Sequence, residues 1–151
     1  MRKLIFAALL IVFAVSGCGN SSATDSLDWY DRLEDAVEVA KSENKNILIN
    51  FTGSDWCQWC KKLSAEVFTQ KEFENYANDN LVLVKLDFPR SIEQTVETKM
   101  YNNSLAQRFG VRGFPTIVLL NRNGELIGIT GYQPGGAVNY INHLKKYFSN
   151  S

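Results

Sequence analysis

The sequence contains little cysteine, histidine or proline: 3 cysteines, 1 histidine and 3 prolines among 151 residues. So few cysteines exclude a small scaffold built on several disulfides, and the single histidine, His143, argues against a metal site built from imidazoles. The 16 basic residues balance the 16 acidic ones without forming a basic block, which argues against a nucleic-acid partner. The length and the 45% hydrophobic content suit one domain with a substantial core.

The first 26 residues have the pattern of a targeting segment and not that of a folded domain. Two basic residues precede an apolar run over residues 4–15, which is shorter than the roughly 20 residues of a spanning helix and typical of a secretory signal. The sequence VSGC at 15–18 resembles the lipobox of bacterial lipoproteins, which implies cleavage before Cys18 and lipidation of its thiol. An ordinary signal peptide with a chance cysteine is the alternative.

These observations predict three regions: a signal peptide over 1–17, a lipidated cysteine with a flexible polar tether over 18–26, and a globular domain over 27–151. The domain is then expected in the cell envelope, anchored to a membrane by lipid on the periplasmic or cell-surface side. Its remaining thiols would work where disulfides persist.

Hydrophobic periodicity predicts an α/β fold. A helical pattern from Leu27, including Trp29, comes first and a closing helix comes last, with Val138, Ile141, Leu144 and Phe148 on its apolar stripe. Strands are predicted over 47–51, 81–87, 117–120 and 125–130, with helices from Cys57 to Glu66, over 71–78 and within 91–109. We expect a sandwich in which helices cover both faces of a mixed sheet of about four to five strands.

Cys57 and Cys60 are separated by two residues, directly after a predicted strand and loop. If Cys57 begins a helix, unpaired backbone N–H groups and the helix dipole favour its thiolate, and Cys60, one turn on, can close a disulfide with it. This arrangement favours a redox-active pair. A zinc site, which needs about four ligands, and a purely structural disulfide, which would stabilise little across so short a loop, are the alternatives.

Two segments, 47–61 (ILINFTGSDWCQWCK) and 109–116 (FGVRGFPT), resemble the active-site segments of the thioredoxin superfamily. The resemblance covers roughly residues 30–148. Within the superfamily, the chain resembles secreted thioredoxin-like lipoproteins and the periplasmic domain of transmembrane disulfide reductases. It implies an enzyme that exchanges disulfides with protein substrates without a cofactor or metal, with Cys57 attacking and Cys60 resolving. A membrane electron donor is a candidate partner.

The resemblance also assigns residues around the dithiol. Trp56 would pack beside the first cysteine, and the Phe114–Pro115 bond would be cis and lie next to the active site, where an extended substrate segment can pair. Gly113 is expected to give clearance there, and Thr116 to begin the next strand.

The two residues between the cysteines are Gln58 and Trp59. This dipeptide differs from those associated with thioredoxin-fold proteins that are strong oxidants and from those of cytosolic reductants. The chain could therefore act as a reductase, an oxidase or an isomerase, and we expect a reductase. Trp59 is either a contact for partner proteins or a cap over the loop. Thioredoxins commonly carry a buried acid that helps to move the proton of the second thiol. Asn50 stands at that position here and cannot take a proton, so water, Asp55 or Glu66 would have to accept the proton of Cys60. A redox-silent binding module and a thiolate copper carrier are the competing functions.

Overall fold

Short apolar runs form the centre of a five-stranded mixed sheet in the computed structural model, which describes residues 27–149. The strands are β1 Trp29–Tyr30, β2 Asn46–Thr52, β3 Leu81–Asp87, β4 Thr116–Leu120 and β5 Leu126–Thr130. They lie in the order β1-β3-β2-β4-β5, and β2 pairs parallel with β3 and antiparallel with β4. This confirms the predicted mixed sheet.

Within residues 27–149, five α-helices cover the two faces of this sheet. They are α1 Leu33–Glu43, α2 Gln58–Leu63, α3 Lys71–Asn80, α4 Val96–Arg108 and α5 Gly136–Phe148, and a π-helical segment, Ser64–Phe68, continues α2. Helices α1 and α4 pack on one face, and α2, the π-helical segment, α3 and α5 on the other. The sandwich predicted from the sequence is therefore confirmed.

Alternation along β2 decides which core each side chain enters. Ile47, Ile49 and Phe51 are fully buried on the face that packs against α1 and α4, whereas Leu48 is buried on the opposite face with α2 and α5. Because successive strand residues point to opposite faces, Asn50 lies on the same face as Leu48. A polar side chain is thereby placed beneath the helix that carries the second cysteine.

Two expectations about the terminal elements are wrong. Trp29 is not helical but lies in β1, where it pairs with Leu83 at the sheet edge and its ring contacts Phe68 at a centroid distance of 5.3 Å. Val138 is 58% exposed, because the buried stripe of α5 consists of Ala137, Tyr140, Ile141 and Leu144.

The predicted signal peptide, lipidated Cys18 and tether lie outside the described residues. Among residues 27–149, no helix has the length and apolar character needed to cross a membrane.

Candidate functional site

The two cysteines lie at the start of α2, after the loop that joins it to β2. Cys57 is the N-cap of α2, its sulfur accepts a hydrogen bond from the Cys60 backbone N–H at 3.2 Å, and the two residues are joined by a disulfide with their Cα atoms 5.2 Å apart. Both are nearly buried, with exposed fractions of 6% and 5%. When the pair is reduced, the same N–H group can stabilise a thiolate on Cys57.

The loop between β2 and Cys57 is fastened to the end of β3. The backbone N–H and the hydroxyl of Ser54 donate to the Asp87 carboxylate at 2.9 and 2.5 Å, and the Trp56 indole N–H donates to the Phe88 carbonyl at 2.8 Å. Gly53 permits the close approach of the indole, since a Cβ there would lie 2.6 Å from the Trp56 ring. The dithiol is therefore presented from a loop held by several hydrogen bonds.

Asp55 serves this same fastening. Its carboxylate accepts hydrogen bonds from the backbone N–H groups of Ser91 at 2.6 Å and Arg90 at 3.0 Å. The bond from Ser91, followed by that from Arg90, lowers the pKa of the Asp55 carboxyl, which makes it a weaker proton acceptor. The Lys61 ammonium donates to the Asp55 carbonyl at 2.8 Å, so this cation is directed toward the loop.

Asn50 stands where thioredoxins commonly have a buried acid, and it lines the same cavity as Cys60. It is 7% exposed, and its Oδ1 atom accepts no hydrogen bond from any residue within 27–149. A cavity of about 340 Å³ is lined by Asn50, Cys60, Ser64 and Lys85, among others. Its volume and polar lining are suitable for water, which could then reach the second cysteine.

The turn before β4 contacts the loop that carries the dithiol. The Phe114–Pro115 peptide bond is cis, and the Phe114 ring contacts Trp56 edge-on at a centroid distance of 5.8 Å. Thr116 begins β4, as expected, and its hydroxyl donates to the Gly113 carbonyl at 2.7 Å.

Gly113 does not provide the expected clearance. A Cβ at Gly113 would meet nothing within 4 Å among the described residues, whereas a Cβ at Gly131 would lie 3.2 Å from the Pro115 carbonyl oxygen. The close approach to the proline is therefore made by the loop after β5, a contact between distant segments that local sequence does not signal.

That loop also brings an aromatic residue that the sequence did not single out. Tyr132 lies 5.2 Å from Trp59 between ring centroids, and its hydroxyl donates to the Glu66 carboxylate at 2.6 Å. Glu66 is thus engaged with Tyr132, and Gln58 is exposed to solvent. Only the tertiary fold brings Tyr132 to Trp59 and Glu66, which lie more than 60 positions earlier in the chain.

Comparisons with known proteins agree with this geometry. The sequence profile described as a thioredoxin-like domain matches residues 33–145. The disulfide bond reductase DsbH of Chlamydia pneumoniae is 35% identical over 123 residues, which cover 82% of this chain and 74% of that protein. The thioredoxin-related protein DsbJ of the same organism is 27% identical over 115 residues, covering 74% of this chain and 33% of DsbJ.

Solved structures give the same result for the fold. The structure of a DsbH oxidoreductase superposes with a TM-score of 0.77 and 33% identity, covering 82% of this chain and 85% of that one. A thioredoxin from Thermus thermophilus superposes with a TM-score of 0.62 at 19% identity, over 80% and 86% of the two chains, and is similar in fold alone.

Proposed function

The chain belongs to the thioredoxin-like family, and from this premise we propose that it is a protein-disulfide oxidoreductase that reduces disulfides of other proteins. The observation that carries the proposal is the Cys57–Cys60 disulfide at the start of α2, with the Cys60 N–H group directed at the Cys57 sulfur. The similarity to a disulfide bond reductase supports the reducing direction.

The proposed reaction runs in two exchange steps. The Cys57 thiolate attacks one sulfur of a substrate disulfide, whose S–S bond breaks, and the other substrate sulfur leaves and takes up a proton. Cys60 then loses its proton and attacks the Cys57 sulfur, which forms the internal disulfide and releases the second substrate thiol. Two electrons pass to the substrate, and a dithiol donor has to reduce the pair again.

Asn50 and the cavity beside Cys60 support water as the proton acceptor for the second step. The Asn50 carboxamide has no basic group at ordinary pH, so a water in this cavity, rather than Asn50 itself, would take the proton of the second thiol. Asp55 is a weaker candidate because its carboxylate is bound to two backbone N–H groups, and Glu66 because Tyr132 donates to it.

We further propose that the domain works outside the cytoplasm, attached to a membrane through lipid on Cys18. The VSGC sequence at 15–18 and the apolar run before it support this location. The Cys18→Ser variant is the test: in cells it should lose membrane attachment detected by fractionation in detergent, yet keep its exchange activity in vitro. Membrane attachment that survives this substitution contradicts the lipid anchor.

The activity itself is tested by reduction of insulin with dithiothreitol as electron source. The full chain should accelerate the reaction, and Cys57→Ser should abolish the acceleration. Cys60→Ser should accumulate mixed disulfides through Cys57, seen as protein adducts that dithiothreitol removes. A binding module would give no acceleration, and a copper carrier would retain copper(I) through desalting; either result, without exchange, would contradict the proposal.

A further inference from the structure

Trp59 and Tyr132 form an aromatic pair at the surface beside the dithiol. Their ring centroids are 5.2 Å apart with the planes tilted by 43°. Trp59 is 56% exposed, although the neighbouring Cys60 is only 5% exposed. A large apolar side chain next to a reactive centre presents surface that a partner can cover.

The pair is held in place before any partner arrives. The Tyr132 hydroxyl donates to Glu66 at 2.6 Å, and the Lys62 ammonium lies 3.8 Å from the Glu66 carboxylate and 5.3 Å from the centroid of each ring. The preceding Gly131 is fixed as well, because the buried Tyr140 donates its hydroxyl to the Gly131 carbonyl at 3.1 Å. Rings that are already ordered lose little entropy on binding.

The pair is also continuous with the reactive centre. Trp59 lies between the two cysteines in sequence, and Tyr132 follows Gly131, which approaches the Pro115 carbonyl so closely that a Cβ would be 3.2 Å from it. A partner whose sulfur bonds to Cys57 therefore brings the residues that flank its own cysteine toward this pair.

We propose that the Trp59–Tyr132 pair recognises a large apolar side chain that flanks the reactive cysteine of the substrate protein. The inference rests on the proposed function and names the substrate feature that this site selects. The Lys62 ammonium lies over both rings, whereas the Glu66 carboxylate that it pairs with is bound at the Tyr132 hydroxyl. Because the cation is the charge over the ring faces, a basic residue beside that apolar side chain is repelled and an acidic one is attracted.

Four peptides test this selection. They share one cysteine, joined to glutathione by a disulfide, and combine Phe or Ser at one flanking position with Glu or Lys at the next. The reduced full chain reacts with each in a single turnover: the peptide–glutathione bond breaks, the Cys57–Cys60 disulfide forms, and the two thiols of peptide and glutathione are released. Acid quenching, alkylation and mass spectrometry give the rate constants.

The Phe peptides should react about three to ten times faster than the Ser peptides. At low salt the Glu peptides should react about two to five times faster than the Lys peptides. Trp59→Ser and Tyr132→Ser should bring the Phe-to-Ser ratio close to one, and Lys62→Met should remove the Glu-to-Lys difference while the Phe preference stays. Met100→Ser is the matched control, since Met100 is 67% exposed on α4, and it should leave both ratios unchanged.

Equal rates for the Phe and Ser peptides with the unaltered chain would overturn the inference. A ratio that survives both ring substitutions, or that Met100→Ser lowers equally, would overturn it too. These results leave exchange itself intact, whereas a chain that reacts with no peptide and with no glutathione disulfide would instead contradict the proposed function. Circular dichroism checks that each variant is folded, and Lys62→Met tests the charge preference without altering either ring.

Discussion

Replacing Asn50 by Leu should stabilise the domain, although it removes a polar residue from the active-site region. Asn50 is 7% exposed, and its Oδ1 atom is buried without a hydrogen-bond donor among residues 27–149. A buried acceptor left unpaired costs about 1–3 kcal/mol, and Leu has a similar size, so that little strain offsets the gain. We expect the free energy of unfolding to rise by about 1 kcal/mol and Tm by about 3–5 °C.

Asn102 provides the matched control. It is also buried, at 4% exposure, but its side-chain amide donates to the Asp87 carbonyl at 2.9 Å. Asn102→Leu removes a formed hydrogen bond and should lower the free energy of unfolding by about 1 kcal/mol. The same substitution at two buried asparagines is therefore expected to change the free energy of unfolding in opposite directions.

Urea unfolding of the oxidised proteins, followed by circular dichroism, measures both effects with the disulfide kept constant. Opposite shifts of the midpoint at an unchanged slope are the expected result. An Asn50→Leu variant destabilised as much as Asn102→Leu would refute the reasoning, because it would mean that the Asn50 acceptor is paired in solution and contributes to stability.

Three further predictions concern proton transfer, the loop after β5 and pH. Asn50→Asp places a proton acceptor beside Cys60 and should accelerate resolution of a mixed disulfide about tenfold or more at pH 8 in stopped-flow measurements; an unchanged pH–rate profile would contradict the assigned position. Tyr140→Phe leaves the Gly131 carbonyl without its donor at 3.1 Å and should lower the free energy of unfolding by about 1–2 kcal/mol, measured in urea, whereas a neutral result would show that water replaces the bond. Burial lowers the pKa of His143, so the unfolded chain binds more protons below about pH 6.5 and stability should fall as pH drops through this window; thermal melts should show the fall, and His143→Gln should flatten it.

The centre of the sheet could be predicted because its signal is local. The apolar run of β3 was located with both of its boundaries, Leu81 and Asp87, and the strand, loop and helix around the two cysteines followed from periodicity and spacing. Strands of this kind are buried on both faces, so that the sequence itself carries the pattern.

The elements that were wrongly predicted depend on tertiary contacts. Trp29 carries helix-like spacing, but pairing with β3 and packing on Phe68 place it in a two-residue strand. Val138 fits an apolar stripe equally well, yet α5 is rotated so that its neighbour Ala137 is buried and Val138 is exposed. Periodicity fixes the existence of an amphipathic helix more firmly than its angle of rotation.

The site shows the same division between local and distant signals. The dithiol and the Phe114–Pro115 turn were found from short motifs, whereas Tyr132 and the clearance at Gly131 depend on a loop more than 60 residues from the cysteines. Asp55 shows that residue type alone is insufficient, because its partners on the loop after β3 determine that its carboxylate binds backbone N–H groups.

Redox equilibration of the full chain tests the oxidoreductase assignment most directly. The protein is incubated in graded mixtures of reduced and oxidised thiol, quenched with an alkylating reagent and digested, and the mass of the peptide that contains Cys57 and Cys60 gives the number of their free sulfhydryls. A reversible two-electron transition with a midpoint more negative than about −200 mV, toward the value of thioredoxin, is the predicted result. A pair that stays entirely joined or entirely free in every mixture would contradict the account.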